Sequence, residues 1–131
     1  MAAQVEYLEG TAAQKSRAYS PAVITQGGKT VWLAGQTAMV DGSGKDITGV
    51  FEPQVRAVFA LMDGTLRRAG GALANLVTMT VFITDPRHGD AFVRIRSEIF
   101  GDGRYPASAL ITVTAFARPG ILIEIQGVAV V

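Results

Sequence analysis

Leu76-Val77-Thr78-Met79-Thr80-Val81-Phe82-Ile83 is the stretch on which the fold turns. Its β-branched and aromatic residues favour extended backbone, and it stops at Thr84-Asp85-Pro86, where proline cannot continue a hydrogen-bonded ladder. The run is almost continuously apolar, as expected of a strand lying in the centre of a sheet. Upstream of it, Phe51, Val55, Val58, Phe59, Met62 and Leu66 recur at spacings of three and four, which predicts one buried face of an α-helix, with Arg56, Asp63 and Arg67 off that face. Gly70-Gly71 is the expected stop. Downstream, Phe92, Ile95 and Ile99 predict the buried side of a second helix ending near Gly101-Asp102-Gly103. Asp90 is placed near its start, where a carboxylate can accept free amide protons.

Further out, the tail supplies two strands, Ala107 to Phe116 and Ile121 to Val130, joined by the turn formers Ala117-Arg118-Pro119-Gly120. Near the N-terminus, a strand containing Ala22-Val23-Ile24 and another from Thr30 to Gly35 flank Gly27-Gly28-Lys29, a pattern that predicts a hairpin. Asp41 to Gly49 has turn formers without a period and is expected to be a flexible loop. The expected order is β-β-β-α-β-α-β-β in one α+β domain spanning residues 1–131, a mixed sheet with two helices on one face. The opposite face is left for another subunit to cover.

Composition narrows the function classes. With 131 residues, one core is expected, and an apolar share of 49% against 18% charged argues against disorder and for an oligomer. The 12 basic and 11 acidic residues are scattered, so no basic stripe points to nucleic acid as partner. No cysteine and a single histidine remove thiolate chemistry, disulfides and ordinary metal centres, and suggest the reducing cytoplasm. No signal-like N-terminus and no apolar run of about 18 residues is present, so neither export nor a membrane span is expected.

Within the final strand, parity sets Leu122, Glu124, Gln126 and Val128 on one face and Ile121, Ile123, Ile125 and Gly127 on the other. Glu124 is thus a carboxylate among apolar neighbours, either suited to general acid or base work or else exposed or paired with arginine for structure. The glycine of Ala34-Gly35-Gln36 allows a ligand or another backbone to come close, or simply makes a turn. Arg104 and Ser108 sit at an element end, where functional side chains are often displayed. Ser108 lacks the Gly-x-Ser-x-Gly setting of a hydrolase nucleophile, and His88 is expected at the surface. No phosphate-loop pattern is present, so nucleotide binding has no support.

Several separated pieces occur together in one order: Tyr19-Ser20-Pro21-Ala22-Val23, Leu33-Ala34-Gly35-Gln36, Gln54-Val55-Arg56, Ala69-Gly70-Gly71, Thr80-Val81-Phe82-Ile83, Tyr105-Pro106-Ala107 and Ile123-Glu124-Ile125-Gln126-Gly127-Val128-Ala129. In these the chain resembles the RidA (YjgF) family of enamine/imine deaminases over nearly its whole length. The resemblance implies a chorismate-mutase-like fold, a homotrimer with clefts between subunits, and hydrolysis of reactive enamines or imines such as 2-aminoacrylate to a ketoacid and ammonia without cofactor or metal. It also implies that Tyr19, Gly35 and Glu124 line the cleft, with the acid orienting or activating water. RidA-type deaminases carry an arginine directly after the Pro-Ala pair to hold the substrate carboxylate; here that residue is Ser108, and the usual serine before the cleft glycine is Ala34. Either the substrate lacks a carboxylate at that spot, or a cation such as Arg104 or Arg118 supplies the fork. Relatives without the arginine resemble enzymes acting on acids such as 2-aminomuconate. A regulatory, ligand-binding trimer without turnover is the alternative.

Overall fold

A computed structural model describes residues 1–101 and 103–131; Asp102, at the expected end of the second helix, lies outside them. Nine elements follow one another: β1 (Gln4–Tyr7), α1 (Ala12–Ser16), β2 (Val23–Gln26), β3 (Thr30–Gln36), α2 (Phe51–Arg68), β4 (Leu76–Ile83), α3 (Gly89–Phe100), β5 (Ala107–Thr112) and β6 (Ile123–Val130), with 3₁₀ turns at Leu73–Asn75 and Pro86–His88. The main sheet has the order β3-β6-β4-β5. It is mixed: β4 runs antiparallel to β6 and parallel to β5. The apolar octapeptide is therefore an internal strand, as its composition predicts.

Among the described residues, only one face of this sheet carries helices. Leu33, Met79, Val81, Ile83, Ile123, Ile125 and Ala129 join Val55, Val58, Phe59, Met62 and Leu66 of α2 and Phe92 and Ile95 of α3 in one buried cluster. All six apolar positions read for α2 are buried. The helix stops where expected, with Gly70 in the left-handed region at φ 90 and the Gly71 amide donating to the Leu66 carbonyl at 2.9 Å. On the opposite face, Thr78, Thr80 and Phe82 of β4 stay half-buried, and Trp32 of β3 is 79% exposed. No helix among the described residues is long and apolar enough to cross a membrane.

Four expectations are corrected. Gly27 and Gly28 do make a turn at positive φ, but β2 pairs with β1 and β3 pairs with β6, so no hairpin forms between β2 and β3. Gly28 donates to the Met1 carbonyl and Lys29 to that of Val131, drawing the turn toward the chain ends instead. The tail strands are shorter than expected and do not pair, because β4 lies between β5 and β6. Asp90 does not cap α3: the Pro86–His88 turn runs directly into the helix, and the Asp90 carboxylate takes the Arg17 guanidinium at 2.6 Å. His88 is half-buried, its ring stacked on Phe51 with centroids 4.2 Å apart. The five-residue helix α1, closed by a Thr11–Gln14 capping box, is an addition.

Gln54 was read only as part of a motif, yet it is completely buried and fastens two loops. Its Nε2 donates to the carbonyls of Ile47 at 3.0 Å and Gly120 at 2.8 Å, and its Oε1 accepts from the Leu122 amide at 2.9 Å. Gln54→Leu leaves the Leu122 amide without its acceptor and takes one of two donors from each carbonyl, Ile47 keeping the Val50 amide and Gly120 that of Gly49, and we expect urea melts to show a loss of about 1–3 kcal/mol. A change below about 0.5 kcal/mol, the range of surface substitutions, contradicts this role.

Candidate functional site

Strand parity in β6 buries Ile123 and Ile125 beneath the helices and turns Glu124 and Gln126 to the uncovered face. Glu124 stands opposite Phe82 of β4 and is half-buried. On its other side, β3 loses register between Leu33 and Gln36, so that Ala34 and Gly35 form an irregularity in the ladder. A Cβ built on Gly35 would lie 2.5 Å from Glu124 Oε2 and 3.0 Å from its Cδ. The hydrogen side chain of Gly35 is thus the space into which the carboxylate fits. Close approach, rather than a turn, is what requires glycine there.

A second constellation lies at β5. After α1, Ala18 takes φ 60, a left-handed conformation seldom adopted by a residue with a Cβ. The chain then locks onto the start of β5: the Ser20 amide donates to the Pro106 carbonyl at 3.2 Å, and Ser20 Oγ donates to that of Tyr105 at 2.6 Å. This lays Tyr19 beside Ser108. In the parallel ladder Ser108 is in register with Met79, so it faces the helix side of the sheet, opposite to Glu124.

Arg96 of α3 reaches that point from the helix layer. Its Nη1 donates to Ser108 Oγ at 2.8 Å and its Nη2 to the Arg17 carbonyl at 2.8 Å. The guanidinium lies 4.9 Å from the Phe92 ring centroid and 6.0 Å from that of Tyr19. Burial, and after it the neighbouring Arg17, pushes its pKa down to about 10, which still leaves it charged near neutral pH. Arg17, Tyr19, Arg96 and Ser108, with Val93 and Leu110 as apolar walls, line a pocket of about 360 Å³. A larger surface hollow of about 430 Å³ lies outside α2, but its Arg56 is already paired with Glu98 at 2.8 Å.

The residues singled out from the sequence therefore fall into two groups and two outliers. Gly35 and Glu124 meet, with Ala34 beside them; Tyr19 and Ser108 meet on the opposite face. Arg104 is exposed and lines a separate cavity of about 220 Å³ with Leu73, Ala74, Ile99 and Phe100. Arg118 is exposed in the connection between β5 and β6. Arg96 escaped the sequence reading, although a signal was present: with Phe92, Ile95 and Ile99 it completes an i, i+3, i+4, i+7 stripe, and only buried side chains belong on that stripe.

The family model described as "Endoribonuclease L-PSP" matches residues 10–131. A RutC family protein of Pyrococcus horikoshii is 27% identical over 111 residues, covering 85% of each chain. A crystal structure of a conserved Rid family protein from Yersinia pestis superposes with a TM-score of 0.83 at 25% identity, covering 100% of both chains. RidA from an Antarctic Psychrobacter aligns at 28% identity and a TM-score of 0.67, over 86% of this chain and 88% of that one. The architecture is accordingly the chorismate-mutase-like α+β fold. The chain belongs to the Rid (YjgF, L-PSP) family.

Placing a methyl group at position 35 tests the contact that defines the first group. Gly35→Ala is expected to displace the Glu124 carboxylate while changing unfolding free energy by less than about 1 kcal/mol, because the obstructing atom ends a flexible side chain. A crystal structure of the variant with the carboxylate unmoved contradicts the account of the glycine.

Proposed function

We propose that this chain is a hydrolytic deaminase of small enamines, imines or amino-unsaturated acids, of the 2-aminomuconate kind, releasing ammonia in a cleft completed by a homotrimer. The observation that carries the reading is the Glu124 carboxylate seated against Gly35 on the one sheet face that no helix covers.

The chemistry closes with water and one proton carrier. Glu124 takes a proton as water oxygen bonds to the iminium carbon, giving a carbinolamine. The carboxyl returns that proton to nitrogen, the carbon–nitrogen bond breaks and ammonia leaves, and Glu124 takes the hydroxyl proton as the carbonyl forms and passes it to the ammonia, which departs as ammonium. No electrons are transferred to or from a third party, so a placed water and a correctly aimed acid suffice. The irregularity at Ala34-Gly35 exposes backbone polar groups beside the carboxylate, which suits contacts to a polar ligand.

Tyr19 and Ser108 enter this proposal as the substrate-holding side. In one chain they face away from Glu124, so the cleft is assigned to the join between copies, where one subunit's β5 pocket can meet another's bare face. The exposed Trp32 and the half-buried Phe82 and Val128 on that face favour a covered surface. Arg104 and Arg118 remain candidates for outer contacts to the ligand.

RNA cleavage, suggested by the family's description, is less well supported, since a nucleic-acid surface needs clustered unpaired cations. Here Arg56 pairs with Glu98, Arg94 with Glu52 and Glu98, Arg67 with Asp63 and Arg87 with Asp85.

Ammonia release from 2-aminoacrylate and from 2-aminomuconate, compared for the natural chain and Glu124→Gln, tests the reading. We expect Glu124→Gln to lose about 10²–10⁴-fold in rate with the fold intact by circular dichroism. Equal rates for the two proteins remove Glu124 from the mechanism and favour a ligand-binding, regulatory trimer. Analytical ultracentrifugation should show three chains per particle.

A further inference from the structure

Arg96 is the one arginine in the buried set, with only 2% of its surface exposed. A charge so placed is costly unless a partner compensates it. Among the described residues no carboxylate lies within ion-pairing distance of its guanidinium; both bonds it makes go to neutral oxygens, Ser108 Oγ and the Arg17 carbonyl. Its Nε is buried and has no acceptor among the described residues. The other charged residue on the pocket wall, Arg17, has the same sign and adds to the lowering of the Arg96 pKa, although its own guanidinium is paired with Asp90.

The bond to Ser108 has a direction. Arginine has only donors, so Ser108 Oγ accepts from Nη1 and keeps its own hydrogen free to donate. The pocket thus offers the Ser108 hydroxyl hydrogen, the Tyr19 side chain and the Arg96 guanidinium, beside an Arg17 whose Nη1 is bonded to the exposed Asp90 at 2.6 Å; the residues lining it include no acid. At about 360 Å³ it is the size of pockets that take small organic ligands. Ala18, between Arg17 and Tyr19, takes the left-handed conformation, and the residues on either side of it both lie on the pocket wall.

From this geometry we infer that the Arg17–Tyr19–Arg96–Ser108 pocket is a carboxylate-binding site, in which Arg96 supplies the buried positive charge and presents it through the Ser108 hydroxyl. The ligand class is a small organic acid, held by its carboxylate and selected over neutral analogues. The inference deepens the proposed function and rests on it in identifying that acid with the substrate. The charge that anchors the substrate then comes from α3 rather than from the position after the Pro-Ala pair, and neither Arg104 nor Arg118 is needed for it.

Binding is measured separately from turnover. The ¹⁵N-labelled protein is titrated with sodium propionate at constant ionic strength, following the Arg96 Nε–H and Ser108 amide signals, with propionamide and inorganic phosphate as comparison probes. We expect propionate to move both signals and to raise the melting temperature, propionamide to do neither, and Arg96→Met to weaken propionate binding about tenfold or more. Arg96→Met should also cost little stability, since the lost hydrogen bonds and ring contacts are offset by removal of a buried charge that no carboxylate balances. A purely structural arginine gives the reverse: destabilisation with propionate binding unchanged. Should Arg96→Met fail to fold, the Nε–H signal of the natural chain decides by itself. Equal effects of propionate and propionamide, tighter binding of phosphate than of propionate, or no shift up to about 50 mM propionate each overturn the inference. Glu124→Gln is expected to bind propionate normally, so a failure of hydrolysis leaves this site standing, and a failure of binding leaves the hydrolytic reading standing.

Discussion

Strand β4 is hydrogen-bonded along both edges and clad by helices on only one of its two faces, and the rest of the molecule is arranged around that asymmetry. The clad face takes Met79, Val81 and Ile83 into the common core with α2 and α3. The other face keeps Thr78, Thr80 and Phe82 half-buried. Because β6 lies next to β4, the same division runs through it, and Glu124 emerges on the bare side directly across from Phe82. A carboxylate is tolerable there because that face is not sealed by helices. Glycine at position 35, within the register break, leaves out the one side chain that would have stood in its way.

How much of this could be read from the sequence depended on whether the information was local. The buried face of α2 was legible residue by residue, since periodicity reports which positions share a face. The end of that helix at Gly70 and the internal position of β4 were legible for similar reasons, one from backbone chemistry and one from composition. Parity in β6 separated Glu124 from Ile123 and Ile125 correctly. Pairing was not legible: Gly27-Gly28 specifies a turn but not which strand receives β3 afterwards, and the choice of β6 depends on residues about a hundred positions away. The place of β4 between β5 and β6 was hidden by the same limit.

The candidate site was half legible. Glu124 and Gly35 could be picked out singly, one as a charge out of place and one as a glycine in a strand, but their contact lies across the β3–β6 ladder and no spacing encodes it. Arg96 was obscured by its residue type. An arginine on an amphipathic helix is normally assigned to solvent, and its membership of the Phe92–Ile99 stripe went against that habit. Asp90 shows the opposite error: its position suggested a cap, while a preceding 3₁₀ turn had already served the helix start and left the acid to pair with Arg17.

The carboxylate-binding role proposed for the Arg96 pocket also has a meaning for the life of the protein. A fold that keeps an unmatched cation in its interior is weaker empty than occupied, and any acid that fills the pocket shifts the balance between folded and unfolded chains by mass action. Local supply of the acid would then help set how long each copy survives proteolysis. A surplus would preserve the protein that handles it, and depletion would let the unoccupied copies be cleared sooner.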